Sequence, residues 1–159
     1  MRNYLAKNLR KGYWLHADMW GDRFPMHKSI KVVDFGLAEQ ALVNAAAGLY
    51  LNDENVYIYG VAGFIIHQME QMKYSLRQMT KVYPNKKGRV IIFNAGKVGY
   101  EVFTAPHRLV DDKQLMEHYK IKVFNPNTIE ELKNALKEIE DNDIKLSYVR
   151  LGKDFNGTN

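Results

Sequence analysis

The sequence contains no cysteine, which excludes disulfides, thiol nucleophiles and cysteine metal sites. It also lacks a long apolar run, because the longest run that is both uncharged and apolar, residues 56–66, is too short to span a bilayer. The basic N-terminus has no apolar segment of the signal-peptide kind. These absences predict a soluble protein of the reducing cytoplasm, without membrane association.

Several sequence patterns that carry chemistry are missing as well. The chain has no Walker-type phosphate loop and no glycine-rich dinucleotide loop. No two of its five histidines stand at the spacing of metal ligands. We therefore expect no metal site within this chain.

The composition is that of one ordinary folded domain. The chain has 159 residues, 46% hydrophobic and 26% charged, which excludes a disordered protein. The formal net charge is +5, and the first eleven residues contain basic side chains without an acidic one: Arg2, Lys7, Arg10 and Lys11. We interpret the excess as solvated cations or a site for a phosphorylated ligand rather than a nucleic-acid surface, because no nucleic-acid-binding motif accompanies it.

Strand and helix patterns alternate along the chain. Strands are predicted at residues 13–17, 30–35, 56–61, 89–93, 121–124 and 145–151, and helices at 37–51, 64–79, 113–119 and from 128 onward. This alternation predicts a single α/β domain over residues 1–159, with three layers: an open, mainly parallel sheet and helices on both faces. The polar tail, residues 152–159, is expected to be frayed.

Three local patterns predict burial. The mostly apolar strand 30–35 is expected to be buried on both faces. A methionine-rich helical stripe (Met69, Met72, Leu76, Met79) indicates either core or a subunit interface, open without its partner. Thr128 and Glu131 form a capping-box pattern for a helix whose inward residues are predicted to be Ile129, Leu132, Leu136 and Ile139.

Unusual residues concentrate in the loops after the first four strands, where α/β sheets bind ligands. In residues 34–40 (DFGLAEQ) a strand ends, a glycine allows a turn, and Glu39 enters the first turn of a helix. Taken alone, Glu39 is explained as a carboxylate that stabilises the helix dipole.

Residues 34–40, followed by 43–49 (VNAAAGL), resemble the signature of transketolases and 1-deoxyxylulose-5-phosphate synthases. The resemblance implies the pyrimidine-binding fold of a thiamine-diphosphate enzyme. It implies that Glu39 is catalytic, hydrogen-bonding a ring nitrogen of the cofactor's aminopyrimidine and promoting its imino tautomer.

The resemblance extends to other cofactor contacts. Asp18, after the first strand, is implied to approach the cofactor. Phe64 resembles the family aromatic that stacks on the aminopyrimidine, although an ordinary core aromatic also explains it. His67 is explained equally by a role in this site and by a solvated or interface histidine.

Substrate contacts are implied at the later loops. Residues 94–101, beginning with Asn94, resemble the family's substrate loop, and His107 resembles a histidine that touches the donor substrate. Arg150 or Lys153, near the end of the last strand, resembles a basic residue that holds a substrate phosphate. A strand-end cation without such a role explains either one equally well.

The resemblance covers only the middle domain of a transketolase. Residues 21–23 (GDR) lack the second glycine of the family's Mg²⁺-diphosphate motif. This implies a split enzyme whose partner chain supplies the Mg²⁺ ligands, in a homo-oligomer or heterotetramer that transfers a two-carbon ketol unit between sugar-phosphate-like substrates. The alternatives are a subunit of a decarboxylating thiamine-diphosphate enzyme that joins a 2-oxo acid fragment to an aldehyde, and a non-catalytic scaffold.

Overall fold

Six parallel strands form one sheet in the computed structural model, which describes residues 1–18, 25–95 and 112–152, without the side chains of 64–66. The strand order is β2-β1-β3-β4-β6-β5, and every neighbouring pair is parallel. The strands are β1 (Gly12–His16), β2 (Ile30–Asp34), β3 (Val56–Val61), β4 (Val90–Ala95), β5 (Lys122–Phe124) and β6 (Leu146–Leu151). The predicted α/β sheet is therefore confirmed.

Helices cover both faces of this sheet. They are α1 (Arg2–Asn8), α2 (Glu39–Leu51), α3 (Met69–Gln71), α4 (Arg77–Val82), α5 (Asp112–His118) and α6 (Ile129–Asp141). A 3-10 turn (Ala62–Gln68) precedes α3, and a π turn (Met72–Leu76) joins α3 to α4. One core lies beneath α2, the segment from 62 to 82 and α5, and the other lies beneath α1 and α6.

The central strands follow the rule for parallel sheets. All six residues of β4 are buried, as are all residues of β3 except Gly60, because helices cover both faces. The prediction of two-sided burial is wrong for β2. This strand lies at the edge of the described sheet, and Lys31, Val32 and Asp34 are exposed.

The helical predictions hold in part. Met72 and Leu76 are fully buried, so the methionine-rich stripe forms core, and the expectation that it lies open for a partner is wrong for Met72. Instead of one regular helix, the stripe belongs to the interrupted segment from 62 to 82. The sequence pattern also missed α1, whose seven residues are too few to display a periodic apolar stripe.

The N-terminal cap of α6 is confirmed. The Oγ1 atom of Thr128 accepts a hydrogen bond from the Glu131 N–H at 3.1 Å. The Glu131 carboxylate reaches one residue further back than in a standard capping box and accepts from the Asn127 N–H at 2.6 Å. The inward prediction is wrong for Ile129, the first residue of α6, which is 44% exposed.

The topology determines where a ligand site is expected. The chain moves from β1 to β2 in one direction across the sheet, and from β3 to β4 in the other, so the order reverses between β1 and β3. Crevices at such reversals, beyond the carboxyl ends of the strands, bind ligands in α/β proteins. Within the described residues, no helix is long and apolar enough to cross a membrane.

Candidate functional site

An ordered turn network joins the carboxyl ends of β1 and β2. The Oδ1 atom of Asp34 accepts hydrogen bonds from the backbone N–H groups of Asp18, at 3.0 Å, and Gly36, at 2.9 Å. The Nδ1 atom of the buried His16 lies 3.4 Å from the same oxygen. The N–H bonds from Asp18 and Gly36, with a smaller contribution from His16, hold the pKa of the Asp34 carboxyl below its ordinary value.

This network fixes the approach to α2. Gly36 has a φ of 57°, in the left-handed region that glycine adopts without steric cost. The turn leads to Glu39, which is the first residue of α2 and is half-buried. The preceding Ala38 has no side chain that caps the helix, and the Glu39 carboxylate accepts no hydrogen bond from a residue that the structure describes. The predicted first-turn position of Glu39 is therefore confirmed.

The other predicted cofactor contacts lie in the segments that follow β1 and β3. Asp18 is exposed after β1, and its N–H group belongs to the Asp34 network. The 3-10 turn after β3 contains Phe64 and His67. His67 is exposed, whereas the Phe64 side chain lies outside the described atoms, so its stacking role stays a prediction.

A second polar group lies at the carboxyl ends of β4 and β6. Gly60, Asn94 and Arg150 are register neighbours on adjacent strands. A Cβ atom on Gly60 would lie 3.0 Å from the Asn94 Oδ1 atom, so a larger residue at position 60 would displace the Asn94 side chain. Asn94 is 2% exposed and therefore lies beneath the edge rather than on it.

Asp112, at the start of α5, completes this group. It is fully buried, and its Oδ2 atom accepts a hydrogen bond from the Tyr148 hydroxyl at 2.5 Å. The same oxygen lies 3.1 Å from Arg150 Nε. Burial, together with the Asp112 carboxylate, raises the pKa of Tyr148 well above its ordinary value, so this hydroxyl remains a donor.

Sequence reasoning missed Asp112 because its partners are distant in the chain and no local motif marks it. The predicted residues His107 and Lys153 lie outside the described residues. Asp18 and Glu39 therefore lie at the carboxyl edge near the β1–β3 reversal, and Arg150 lies at the β4–β6 side with Asn94 buried beneath it. In the described parts of the chain, no cluster of three histidine, aspartate or glutamate side chains is suited to a metal ion.

Comparisons with known proteins agree with this architecture. No family model matches the chain. A curated relative is a subunit of the apulose-4-phosphate transketolase of Actinobacillus succinogenes, 29% identical over 128 residues. That match covers 79% of this chain and 39% of the relative, so the chain spans well under half of the relative's length.

Two solved structures share the fold. One is an inactive beta4 tetramer of a split-gene transketolase. The match covers 95% of this chain and 48% of that protein's chain, with a TM-score of 0.67 and 23% identity. The other is a transketolase from Campylobacter jejuni. This match covers 94% of this chain and 24% of the transketolase chain, with a TM-score of 0.68 and 13% identity. The comparisons confirm both the resemblance to transketolases and the predicted fold.

Proposed function

We propose that this chain is the pyrimidine-binding subunit of a split, thiamine-diphosphate-dependent transketolase-like enzyme. With a partner chain that binds the diphosphate through Mg²⁺, it transfers a two-carbon ketol unit between sugar-phosphate-like substrates. The observation that carries the proposal is the position of Glu39: a half-buried carboxylate at the start of α2, beside the sheet reversal, with no hydrogen bond from a described residue.

The residues present fit the cofactor's pyrimidine half. A ring nitrogen needs a carboxyl partner, and Glu39 offers one that the described residues do not occupy. Asp18, Phe64 and His67 belong to the two neighbouring loops and are the further proposed contacts. The Mg²⁺ ligands are assigned to the partner chain.

Bound thiamine diphosphate supplies the carbanion-forming chemistry of ketol transfer. The role of Glu39 is to hold a proton in a hydrogen bond to the ring nitrogen, which favours the imino form of the neighbouring amino group. The fixed turn through Asp34 and Gly36 keeps the start of α2 in place, so that the carboxyl group is preorganised before the ligand binds.

The substrate is assigned to the β4–β6 side of the edge. Asn94 and Arg150, together with His107 and Lys153, are the proposed contacts, and His107 is the second proposed catalytic residue. The Nε atom of Arg150 faces Asp112, and no described residue accepts a hydrogen bond from its outer nitrogens. Those nitrogens are thus available for a charge-assisted bond to a substrate phosphate.

The names of two relatives support the split arrangement. The curated relative is itself named as one subunit of a transketolase, and the split-gene structure is an inactive tetramer. An inactive tetramer of that kind is the behaviour expected of a pyrimidine-binding subunit without its diphosphate-binding partner. We therefore propose that this chain also assembles with itself and becomes active only with a second kind of chain.

Glu39→Gln in the reconstituted enzyme tests the proposed function. Because it removes the acid while keeping the size, turnover should fall by about a hundredfold or more. Glu130→Gln is a matched control, since Glu130 also stands in the first turn of a helix, on α6. Its turnover should equal that of the wild type. Near-normal turnover with Glu39→Gln would refute the assignment, and a 2-oxo acid as the required donor would favour the decarboxylating alternative.

A further inference from the structure

A groove between α1 and α6 opens at the amino ends of the strands, the end of the sheet opposite Glu39. Its volume is about 420 Å³, which lies in the range of small-molecule sites. The apolar side chains in its lining are Leu5 of α1, Leu9 directly after α1, Ile91 of β4 and Leu136 of α6. We call it the amino-end groove.

Three cations line this groove: Arg10, Lys87 and Arg89. They come from basic stretches far apart in the sequence, one at the N-terminus and one before β4, and the proposed ketol transfer uses neither. Among the described residues that line the groove, Glu140 is the single carboxylate. The fold therefore gathers positive charge at the rim of a cavity that has both polar and apolar walls.

The two guanidinium groups are held in place by main-chain carbonyls. Arg10 Nη1 donates to the carbonyl oxygens of Lys7, at 2.6 Å, and Leu9, at 2.9 Å. Arg89 Nη1 donates to the carbonyl oxygen of Ile139 at 3.1 Å. Side chains already fixed in this way lose little conformational entropy when a ligand binds.

The charges are unequally compensated. Arg89 Nη2 lies 3.7 Å from an Asp143 carboxylate oxygen, so part of its charge is neutralised. Neither Arg10 nor Lys87 forms an ion pair with a described carboxylate. The Asp53 carboxylate, which accepts a hydrogen bond from the Lys87 N–H group at 2.8 Å, offsets part of the Lys87 charge from outside the groove. An anion at this rim therefore meets two cations that are not held in an ion pair, Arg10 and Lys87, and a third that is, Arg89.

We propose that the amino-end groove binds a small organic anion with an apolar body, its charged group between Arg10 and Lys87 and its body against Leu9 and the half-buried Leu136. The charged group gains charge-assisted hydrogen bonds, and the body gains hydrophobic burial. An inorganic anion would gain only the first contribution and an uncharged hydrocarbon only the second. This site is separate from the carboxyl edge and does not depend on the proposed function.

The probe is 8-anilino-1-naphthalenesulfonate, titrated by fluorescence into the full chain. We expect saturable binding at one site per chain that weakens as salt is added. Arg10→Gln/Lys87→Gln should weaken it by about tenfold or more, because two charge-assisted contacts are lost. Both side chains are exposed, so the variant should fold. Lys28→Gln/Lys81→Gln removes the same charge from two positions outside the groove and should leave the affinity unchanged.

Two further measurements separate this groove from other apolar surfaces that bind the dye. Leu136→Trp adds bulk to the groove wall and should weaken binding by about tenfold. The uncharged analogue N-phenyl-1-naphthylamine should bind more weakly than the sulfonate and be indifferent to Arg10→Gln/Lys87→Gln. Dissociation constants within about twofold of each other for wild type, the Arg10/Lys87 variant and Leu136→Trp would overturn the proposal, as would the absence of saturable binding.

Discussion

The Nε atom of Arg150 lies 3.1 Å from the Oδ2 atom of Asp112, a carboxylate with no exposed surface. The Tyr148 hydroxyl donates to the same oxygen, so the end of β6 and the start of α5 are joined through one buried charge. Because a buried charge without a partner is costly, Arg150 has a structural role whatever else it binds.

Removing the arginine alone should therefore destabilise the fold. Arg150→Gln is expected to lower the free energy of unfolding by about 3–5 kcal/mol, because it leaves the Asp112 carboxylate unpaired. Urea denaturation measures this. Asp112→Asn/Arg150→Gln removes both charges and should recover much of the loss. If the double variant loses as much as the two single variants combined, the two residues are not coupled and the prediction is wrong.

The hydrogen bonds to Asp34 predict that the stability of the fold decreases at acid pH. The folded-state pKa of Asp34 lies below its ordinary value of 3.8, chiefly through the Asp18 and Gly36 N–H bonds. Its stabilising effect is therefore complete above the unfolded-state pKa and disappears as the pH falls through the lower, folded-state value. Asp34→Asn should be less stable than the wild type at neutral pH, and the difference should begin to shrink below about pH 4 and disappear only below the folded-state pKa. A constant difference across the acid range, in urea unfolding, would contradict this.

Phe64→Ala distinguishes stacking from ordinary core packing. If Phe64 stacks on the aminopyrimidine, the variant should lose cofactor affinity in the assembled enzyme while its melting temperature changes little. If Phe64 only packs in the core, unfolding should become easier by about 3–5 kcal/mol with the cofactor affinity unchanged. Leu76→Ala is the matched control. Leu76 is fully buried in the same helical segment, so that variant should lose stability alone.

The parts of the fold that sequence reasoning predicted are those determined by local pattern. The predicted bounds of β3 agree with the structure at both ends, and Glu39 lies in the first turn of α2 as predicted. These predictions hold because a short apolar run, a glycine turn and a helix start are local signals. β2 was predicted to be buried because its residues are mostly apolar. Its exposure follows from its edge position, which depends on strand order and is absent from the local sequence.

Sequence reasoning missed two polar groups for the same reason, because each forms only when distant parts of the chain pack together. Asp112 becomes significant only because β6 brings Tyr148 and Arg150 to it, across many residues of chain. Arg10 and Arg89 likewise meet at one groove through the packing of α1 and α6 on the sheet. A contiguous motif predicts a role for Glu39, whereas no contiguous motif marks these other groups.

Titration of thiamine diphosphate by calorimetry tests the split-enzyme account most directly. The purified chain alone, with Mg²⁺ present, should bind the cofactor weakly or not at all, because no described residues form a Mg²⁺ site for the diphosphate. Adding the diphosphate-binding chain should produce tight binding and ketol transfer together, and Glu39→Gln should abolish most of the transfer. Tight, Mg²⁺-dependent binding by this chain in the absence of any partner would contradict the account.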